Sequence, residues 1–412
     1  MDNLIACYEI TSDGIKVLVG YELGGAPVVL FKTRRYMPGL IKDGAISDAN
    51  ALIRALAELH TLSDEASHLR IQISKICLAL PSLGLRVFES VKSTNVVSNT
   101  NEIAKIDVTN VVSLVRKEPI PQGNAIVDII PDVFQLANGA VYVDPPLGVQ
   151  STSLTIKAKI HALPENVSNA YTRLLNQAGY RIQKASVSAY CEAELFKTYP
   201  DLPKSYLLVD LGAGMTTVTL VGEGAPYSSA TFHTGGRDLT EAIAIAFSCP
   251  FEVAEKLKCE YGFRERLRGY EPALPLPEGG DAYYQKDLNE VITSFFESYG
   301  AMLGNAISAL VGPYNGKLDS FPIIFTGGAS GLRGMDSFIK RIFPNRKAYY
   351  PIPRSIGARE RGYSALLGLL LTSARYTGSL EDNYRGMGTV SRVEKGKGKA
   401  KPTRNSPDTD VL

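Results

Sequence analysis

The sequence predicts an α/β protein made of two related halves, with a separate α+β segment inserted into the first. Two observations carry this. A strand–turn–strand unit occurs twice, as CYEITSDGIKVLVG at residues 7–20 and YLLVDLGAGMTTVTLVG at residues 206–222. Each has an acidic residue, an apolar residue, a small turn and a return strand, the pattern of an internal repeat. Between them, residues 84–161 change character: valine and threonine dominate, and turn signals break short strand-like runs.

The second unit is the centre of the chain. Tyr206–Val209 is an apolar run suited to a buried strand, and Asp210 closes it. Gly212, Ala213 and Gly214 make the turn, and Met215 leads into the β-branched run from Thr216 to Val221. Glycines without Cβ let backbone N–H groups approach an anion closely. A carboxylate at the strand end is placed to hold Mg²⁺ through the waters that this ion keeps. The residues therefore suit a nucleotide phosphate clamp, and they also suit an ordinary hairpin with a turn aspartate.

The 412 residues are 45% hydrophobic and 21% charged, an ordinary globular balance with length for two or three domains. A net charge of +2 gives no general electrostatic case for nucleic acid. Six Lys/Arg and three Asp/Glu from Arg392 onward put +3 on the last stretch and leave −1 on the body. Five scattered cysteines without a CxxC, and only four histidines, argue against a disulfide framework or a metal site and suit a reducing cytoplasm. The opening MDNLIACYEI is acidic and strand-like, so no signal peptide is expected, and Ala365–Leu371 is too short to span a bilayer.

In order, residues 4–10 and 15–23 read as strands around Thr11, Ser12, Asp13 and Gly14, with Glu9 as the acidic residue, and 28–36 as a third strand. Ser47-Asp48-Ala49 opens a helix with Leu52, Ile53, Leu56 and Leu59 on one face, and Ile73–Leu80 is a buried strand. Within 84–161 the expectations are a strand from Val87, a helix over 108–117, a strand over 125–131, a hairpin turning at Asn138-Gly139 and a strand over 153–161. His161 at a strand end reads as structural. Val167–Ala178 is a helix, Ile182–Val187 a strand and Ala189–Phe196 a helix on which Glu192 is expected to face solvent. After the centre come a strand over 230–232, a turn at 233–236 and a helix over 238–247. Gly235 and Gly236 place N–H groups at a positive helix end, a second candidate phosphate contact. Helices follow over 251–261 and 287–310, with a Pro/Gly-rich loop at 269–281. Strand 322–325 feeds Thr326-Gly327-Gly328-Ala329, where adjacent glycines allow backbone to press against a planar ligand. Helices over 335–342 and 358–371 close the fold, and the Gly/Ser/Lys-rich remainder from 377 to 412 is expected to be a disordered basic tail.

Three glycine-bearing turns, Glu9–Gly14, Asp210–Gly214 and Thr326–Gly331, thus follow strands in a set order. Together they resemble the two phosphate loops and the adenosine loop of the actin/Hsp70/sugar-kinase ATPase superfamily. Within it the chain resembles the bacterial cell-division family FtsA over roughly residues 4–372. EITSDGIKVLVG looks like the family's first phosphate loop, and IIPDVFQLANG with DPPLGVQSTSLTIKAKIHAL like the end of its inserted subdomain. VAEKLKCEYG looks like the helix whose Glu and Lys approach the nucleoside, here Glu255 and Lys258.

The resemblance implies a two-lobed actin-like fold of duplicated ribonuclease-H-like lobes. Lobe one would be 1–83, 162–204 and 356–376, the insertion 84–161, and lobe two 205–355 with a small subdomain at about 243–310. It implies ATP and Mg²⁺ in the cleft, the metal held through water by Asp210 with Glu9 in support. It implies actin-like filaments, contact with the C-terminal peptide of FtsZ and other division proteins, and a cytoplasmic place at the division site on the inner face of a bacterial membrane. Two departures bear on these expectations. Thr11 stands where the family's loop carries glycine, and its Cβ would crowd the β-phosphate and reduce affinity. The chain ends in PTRNSPDTDVL, with no apolar face, where the family has an amphipathic membrane helix. Its basic run Lys395, Lys397, Lys399 and Lys401 suits at most a weak contact with anionic membrane. Alternatives of the same fold are an adaptor resembling the pilus-assembly protein PilM and a sugar-kinase-like phosphotransferase. A kinase needs a carboxylate base in the cleft, and the corresponding place before the central hairpin looks like Ser188, so slow Mg²⁺-dependent hydrolysis is the most expected.

Overall fold

The structure is a computed structural model and describes residues 4–42, 44–64, 69–267, 271–276, 282–375 and 390–395. Strands β1 (Ile5–Thr11), β2 (Gly14–Leu23) and β3 (Ala26–Tyr36) form an antiparallel meander. A short hairpin, β4 (Ile41–Lys42) and β5 (Ala45–Ile46), leads to α1 (Ala49–Glu58), whose first turn is capped by Asp48 accepting the Ala51 N–H at 2.9 Å. A hairpin missed in the sequence follows, β6 (Thr61–Asp64) and β7 (Leu69–Ile73). The expected run 73–80 therefore divides at Ser74, and β8 (Lys75–Leu80) pairs in parallel with β1.

The inserted unit is β9 (Arg86–Asn95), α2 (Lys105–Arg116), β10 (Asn124–Leu136), β11 (Val141–Tyr142) and β12 (Ser153–Pro164). Its strands alternate, and the inward residues Phe134, Leu154, Ile156 and Ile160 pack against Val108, Val111, Val112 and Val115 of α2 as a core of its own. The chain returns to the first sheet through α3 (Glu165–Gln177) and β13 (Arg181–Val187), then enters α4 (Ser188–Lys197). The sheet order is β13-β8-β1-β2-β3.

The second half repeats this plan. β14 (Tyr206–Leu211), β15 (Thr216–Gly222) and β16 (Ala225–Phe232) form the meander. Helices α5 (Gly236–Ala246), α6 (Phe251–Glu260) and α7 (Gln285–Val311) precede β17 (Ile323–Thr326), α8 (Met335–Ile342) and β18 (Ala348–Tyr349). β17 pairs in parallel with β14 and β18 in parallel with β17, giving β16-β15-β14-β17-β18. Two meanders, each followed by two parallel strands, are the duplication that the paired turns predicted.

Helix α9 (Ser364–Arg375) begins later than the expected 358, after a 3₁₀ turn at Arg361–Tyr363. With α4 it lies between the two sheets. Ile5, Cys7 and Leu18 of the first sheet and Tyr206, Leu208 and Ile324 of the second share one core with Leu366, Leu367 and Leu370. The alternate residues Leu207, Val209 and Leu211 face the helices of the second lobe. A Cβ built on Gly368 would stand 1.7 Å from the Cys191 carbonyl oxygen, so glycine there is what lets α9 touch α4.

The tail departs from expectation. Residues Val390–Lys395 form β19, paired antiparallel with β7. VSRVEK has valines that suit a strand, and the β6–β7 hairpin offers an open edge. The rest of the expected tail, with Lys397, Lys399 and Lys401, lies outside the described residues, as do 268–270 and 277–281 of the expected loop.

The insertion is joined to both lobes. On the first side, buried Asp128 of β10 faces buried Lys184 of β13 at 3.8 Å, accepts a hydrogen bond from Ser186 Oγ, and Lys184 also donates to Thr372 O at 3.4 Å. Burial raises the Asp128 carboxyl above the carboxylate range, and Lys184 and Ser186 offset part of that rise. His161 beside them is buried with its ring edge-on to Tyr190, and burial takes it down to about 3, a structural neutral imidazole as expected. Lys184→Met removes the cation nearest Asp128, and stability should drop by about 3 kcal/mol in urea titrations at pH 7.5. The loss should shrink as pH falls and Asp128, raised above its ordinary value, takes up a proton. On the second side, Arg86 bridges Ser228, Leu85 N donates to Ser229 Oγ at 3.2 Å and Ser229 Oγ donates to Ser82 O at 2.6 Å.

Candidate functional site

A cleft of about 730 Å³ opens between the lobes, in the range of small-molecule sites. The β1–β2 hairpin supplies one wall. Thr11 pairs with Gly14 across the Ser12-Asp13 turn, and Gly14 has φ +127 with Arg35 O 1.9 Å from any Cβ, so only glycine fits. The β14–β15 hairpin supplies the facing wall, its turn closed by Gly212 N donating to Met215 O at 3.0 Å. The third contribution is Gly327, with φ +83 and a Cβ position 2.4 Å from Asp210 Oδ1, which brings the loop after β17 against that carboxylate.

Of the residues singled out in the sequence, Glu9, Thr11, Ser12, Asp13, Asp210, Gly212, Ala213, Met215, Gly235, Gly236, Glu255, Lys258, Gly327, Gly328 and Ala329 line this cleft. Gly14 and Gly214 shape the turns behind the lining. Thr216 points away: it is buried, donates to Thr234 O at 2.8 Å and meets Tyr299 OH at 3.3 Å, while Thr217 takes the cleft side. Strand alternation forces this exchange once the register is set.

Two expected contacts are already committed within the chain. Gly235 N–H donates to Asp238 Oδ2 at 2.7 Å, Gly236 N–H to Gly212 O at 2.9 Å and Arg237 N–H to Ala213 O at 2.8 Å. The Gly236 and Arg237 amides thus hold the second hairpin turn, the Gly235 amide is taken by the Asp238 carboxylate of its own helix, and none of the three is offered to an anion, which corrects the expectation for Gly235 and Gly236. Their glycine character serves close approach, since a Cβ on Gly235 would lie 2.6 Å from both the Gly212 and Ala213 oxygens. Lys258 likewise spends its three donors on Gly236 O at 2.9 Å, Thr240 Oγ1 at 2.7 Å and Glu255 Oε2 at 2.6 Å. Burial raises the Glu255 carboxyl, but the Lys258 hydrogen bond and charge outweigh it and hold it below its usual value.

The cleft floor is a charged quartet. Lys16 Nζ donates to Glu9 Oε2 at 3.0 Å and to Gly362 O at 2.7 Å. Asp210 is raised to about 6 by burial and then by the charge of Glu9, against the pull of Lys16. Glu192 is the correction of most consequence. It is 3% exposed, not solvent-facing, and burial followed by the charges of Asp210 and Glu9 raises its carboxyl well above the usual range. Its Oε1 accepts from Thr326 Oγ1 at 3.5 Å, and its Oε2 makes no hydrogen bond among the described residues. Every residue of α4 from Ser188 to Phe196 is buried because both sheets cover it, so no amphipathic stripe marked which side Glu192 faces. Lys16 also went unmarked, although a lysine opposite a glutamate in an apolar strand pair is a readable cross-strand signal. Ser188 lines the cleft with its hydroxyl donated to Leu80 O at 2.9 Å.

Three carboxylates around one lysine leave a deficit of positive charge, and an unpartnered carboxylate oxygen lies among them. That donor set suits a divalent cation. Among the described residues no group of three or more His, Cys, Asp or Glu could hold a metal ion, while Mg²⁺ is commonly held by one or two carboxylates and keeps several waters.

Two repeated lobes, a shared helix pair between them and facing hairpin turns over an acidic floor define the actin-like ATPase fold. The solved PilM–PilN type IV pilus biogenesis complex superposes with a TM-score of 0.54 at 18% identity, covering 91% of this chain and 99% of the other. MreB 5 of Spiroplasma citri bound to AMPPNP gives 0.54 at 13%, covering 93% and 99%. In sequence the chain is similar to FtsA proteins. The family model described as cell division protein FtsA matches residues 207–368. Cell division protein FtsA of Streptococcus pneumoniae is 23% identical over 374 residues, covering 88% of this chain and 78% of that protein. Among the described residues no helix is long and apolar enough to cross a membrane.

Proposed function

We propose that this chain is an actin-like cell-division protein that binds ATP with Mg²⁺ in the interlobe cleft. It would form filaments and link FtsZ, through that protein's C-terminal peptide, to other division proteins at the inner face of the membrane. The lobe boundaries proposed from the sequence go with this reading. The observation that carries it is the quartet Glu9, Lys16, Glu192 and Asp210 beneath two facing glycine turns, in a chain whose relatives are FtsA proteins.

In this reading Asp210 and Glu9 hold the waters of the cation, and Lys16 balances the charge gathered beneath the phosphates. The ion when bound would neutralise phosphate charge and polarise water. Glu192 supplies the buried carboxylate that the Ser188 position lacks, placed to orient a water or hold its proton. A hydrolytic step, if slow, then has a residue to run through.

Titration of a fluorescent ATP analogue with Mg²⁺ tests the reading. Asp210→Ala should lower affinity roughly 10–100-fold, as removal of groups that hold a metal's surroundings does. Equal binding by wild type and variant would remove the metal assignment. Pelleting with an FtsZ C-terminal peptide separates the division reading from the pilus-adaptor one, and sugar-stimulated ADP release would favour a phosphotransferase.

A further inference from the structure

The two hairpin turns touch each other directly. Gly214 N–H donates to Ser12 Oγ at 3.0 Å. Arg237, on the first turn of α5, donates from Nη2 to Ser12 O at 3.0 Å and to Asp13 Oδ1 at 2.8 Å. Asp13 is held from its own lobe as well, by the Arg34 guanidinium on its other oxygen. Thr11 Oγ1 takes the Asp13 N–H at 3.3 Å and donates to Gly14 O at 3.3 Å. Of the groups with which these turns would grip an anion, the Asp13 and Gly214 amides and the Arg237 Nη2 are thus engaged by the chain itself, the Gly214 amide by the Ser12 hydroxyl oxygen. Arg237 Nε is buried and makes no hydrogen bond among the described residues, so that side chain keeps a donor for a further acceptor.

We propose that Asp13 is a built-in anion that joins the two lobes where a terminal phosphate otherwise would, and that it sets the number of phosphates the cleft accepts. A carboxylate between two guanidiniums from opposite lobes is a charge-assisted clasp. It holds the cleft closed without a ligand. The terminal phosphate of a nucleoside triphosphate has to compete with this carboxylate for Arg237 and lies next to its negative charge, whereas a diphosphate does not extend to it. The first part stands without the nucleotide reading; the second rests on it.

The experiment uses the full chain, Asp13→Ala, Arg237→Ala and the exchange Asp13→Arg/Arg34→Asp/Arg237→Asp, which reverses the charge of residue 13 and of both its partners. Small-angle X-ray scattering without nucleotide reads closure, and fluorescent ADP and ATP analogues with Mg²⁺ read phosphate number. Closure should be lost in both single variants, and return in the exchange, where the pair is remade with reversed sign. Asp13→Ala should tighten ATP by about tenfold, the weight of one ion pair, and ADP by much less. Loss of closure without any nucleotide binding, in wild type or variant, would keep the clasp and discard the nucleotide reading. Unchanged scattering in Asp13→Ala would overturn the clasp, and equal tightening of ADP and ATP would overturn the role in phosphate number. Circular dichroism spectra matching wild type check that each variant is folded, and the exchange variant guards against a trivial loss.

Discussion

Gly368→Ala should destabilise the protein by about 3 kcal/mol, at the upper end for overpacking a buried site. The methyl group would stand 1.7 Å from the Cys191 carbonyl oxygen, against backbone that cannot rotate aside. Relief requires α9 and α4 to separate, and both are clamped between two sheets. The cost should therefore appear in the unfolding midpoint with little change in the denaturant slope. A functional effect should accompany it, because Glu192 follows Cys191 on α4. Moving the helix shifts that carboxylate relative to Asp210 and Glu9, so binding of Mg²⁺ with a nucleotide analogue should weaken even in protein that remains folded. An Ala variant with an unchanged melting temperature would mean the helices have slack that their close approach denies.

Glu192→Gln should have the opposite sign on stability. Wild type buries three carboxylates near one lysine, and two of them are held above their ordinary ionisation range. A carboxyl with a raised folded value binds more protons folded than unfolded, so stability falls as pH rises through the window. For Asp210 that window runs from the ordinary 3.8 to about 6. Above that window the cost of holding Asp210 beside Glu192 and Glu9 is present, and removing the Glu192 carboxyl should raise the melting temperature by ~2–4 °C. At pH 4 wild type and variant should melt together. The same variant should lose stabilisation by added Mg²⁺ and nucleotide. A glutamine that destabilises equally above the window and at pH 4 would show that Glu192 is held for its hydrogen bond to Thr326 rather than set against its neighbours' charge.

Strands and glycine turns were legible because their physics is local. A continuous apolar run marked β14 and β-branched residues marked β15, with the glycines of the turn between them. Asp48 and the Leu52–Leu56 stripe gave α1 in the same way. What escaped depended on partners far along the chain. The burial of Glu192 follows from two sheets closing over α4, one of which includes β17, more than 120 residues later. Thr216 and Thr217 are adjacent and alike, and only the pairing of Asp210 with Thr217 decides which faces the cleft. Gly235 and Gly236 looked like anion donors because helix starts carry spare N–H groups, but the Asp238 carboxylate takes the first and the Gly212 carbonyl of the hairpin turn the second. β19 was hidden by its composition, which suits an unfolded segment until a free strand edge is at hand.

The inserted unit is attached to one lobe by a buried ion pair and to the other by a short seam at Arg86, Ser228 and Ser229. A body fastened on both sides of a pivot cannot stay still when the pivot turns. Any rotation of the second lobe about α4 and α9 must either peel the seam or swing the unit with it. Its far edge, β11, would then travel further than the cleft opens, as the tip of a pointer outruns its spindle.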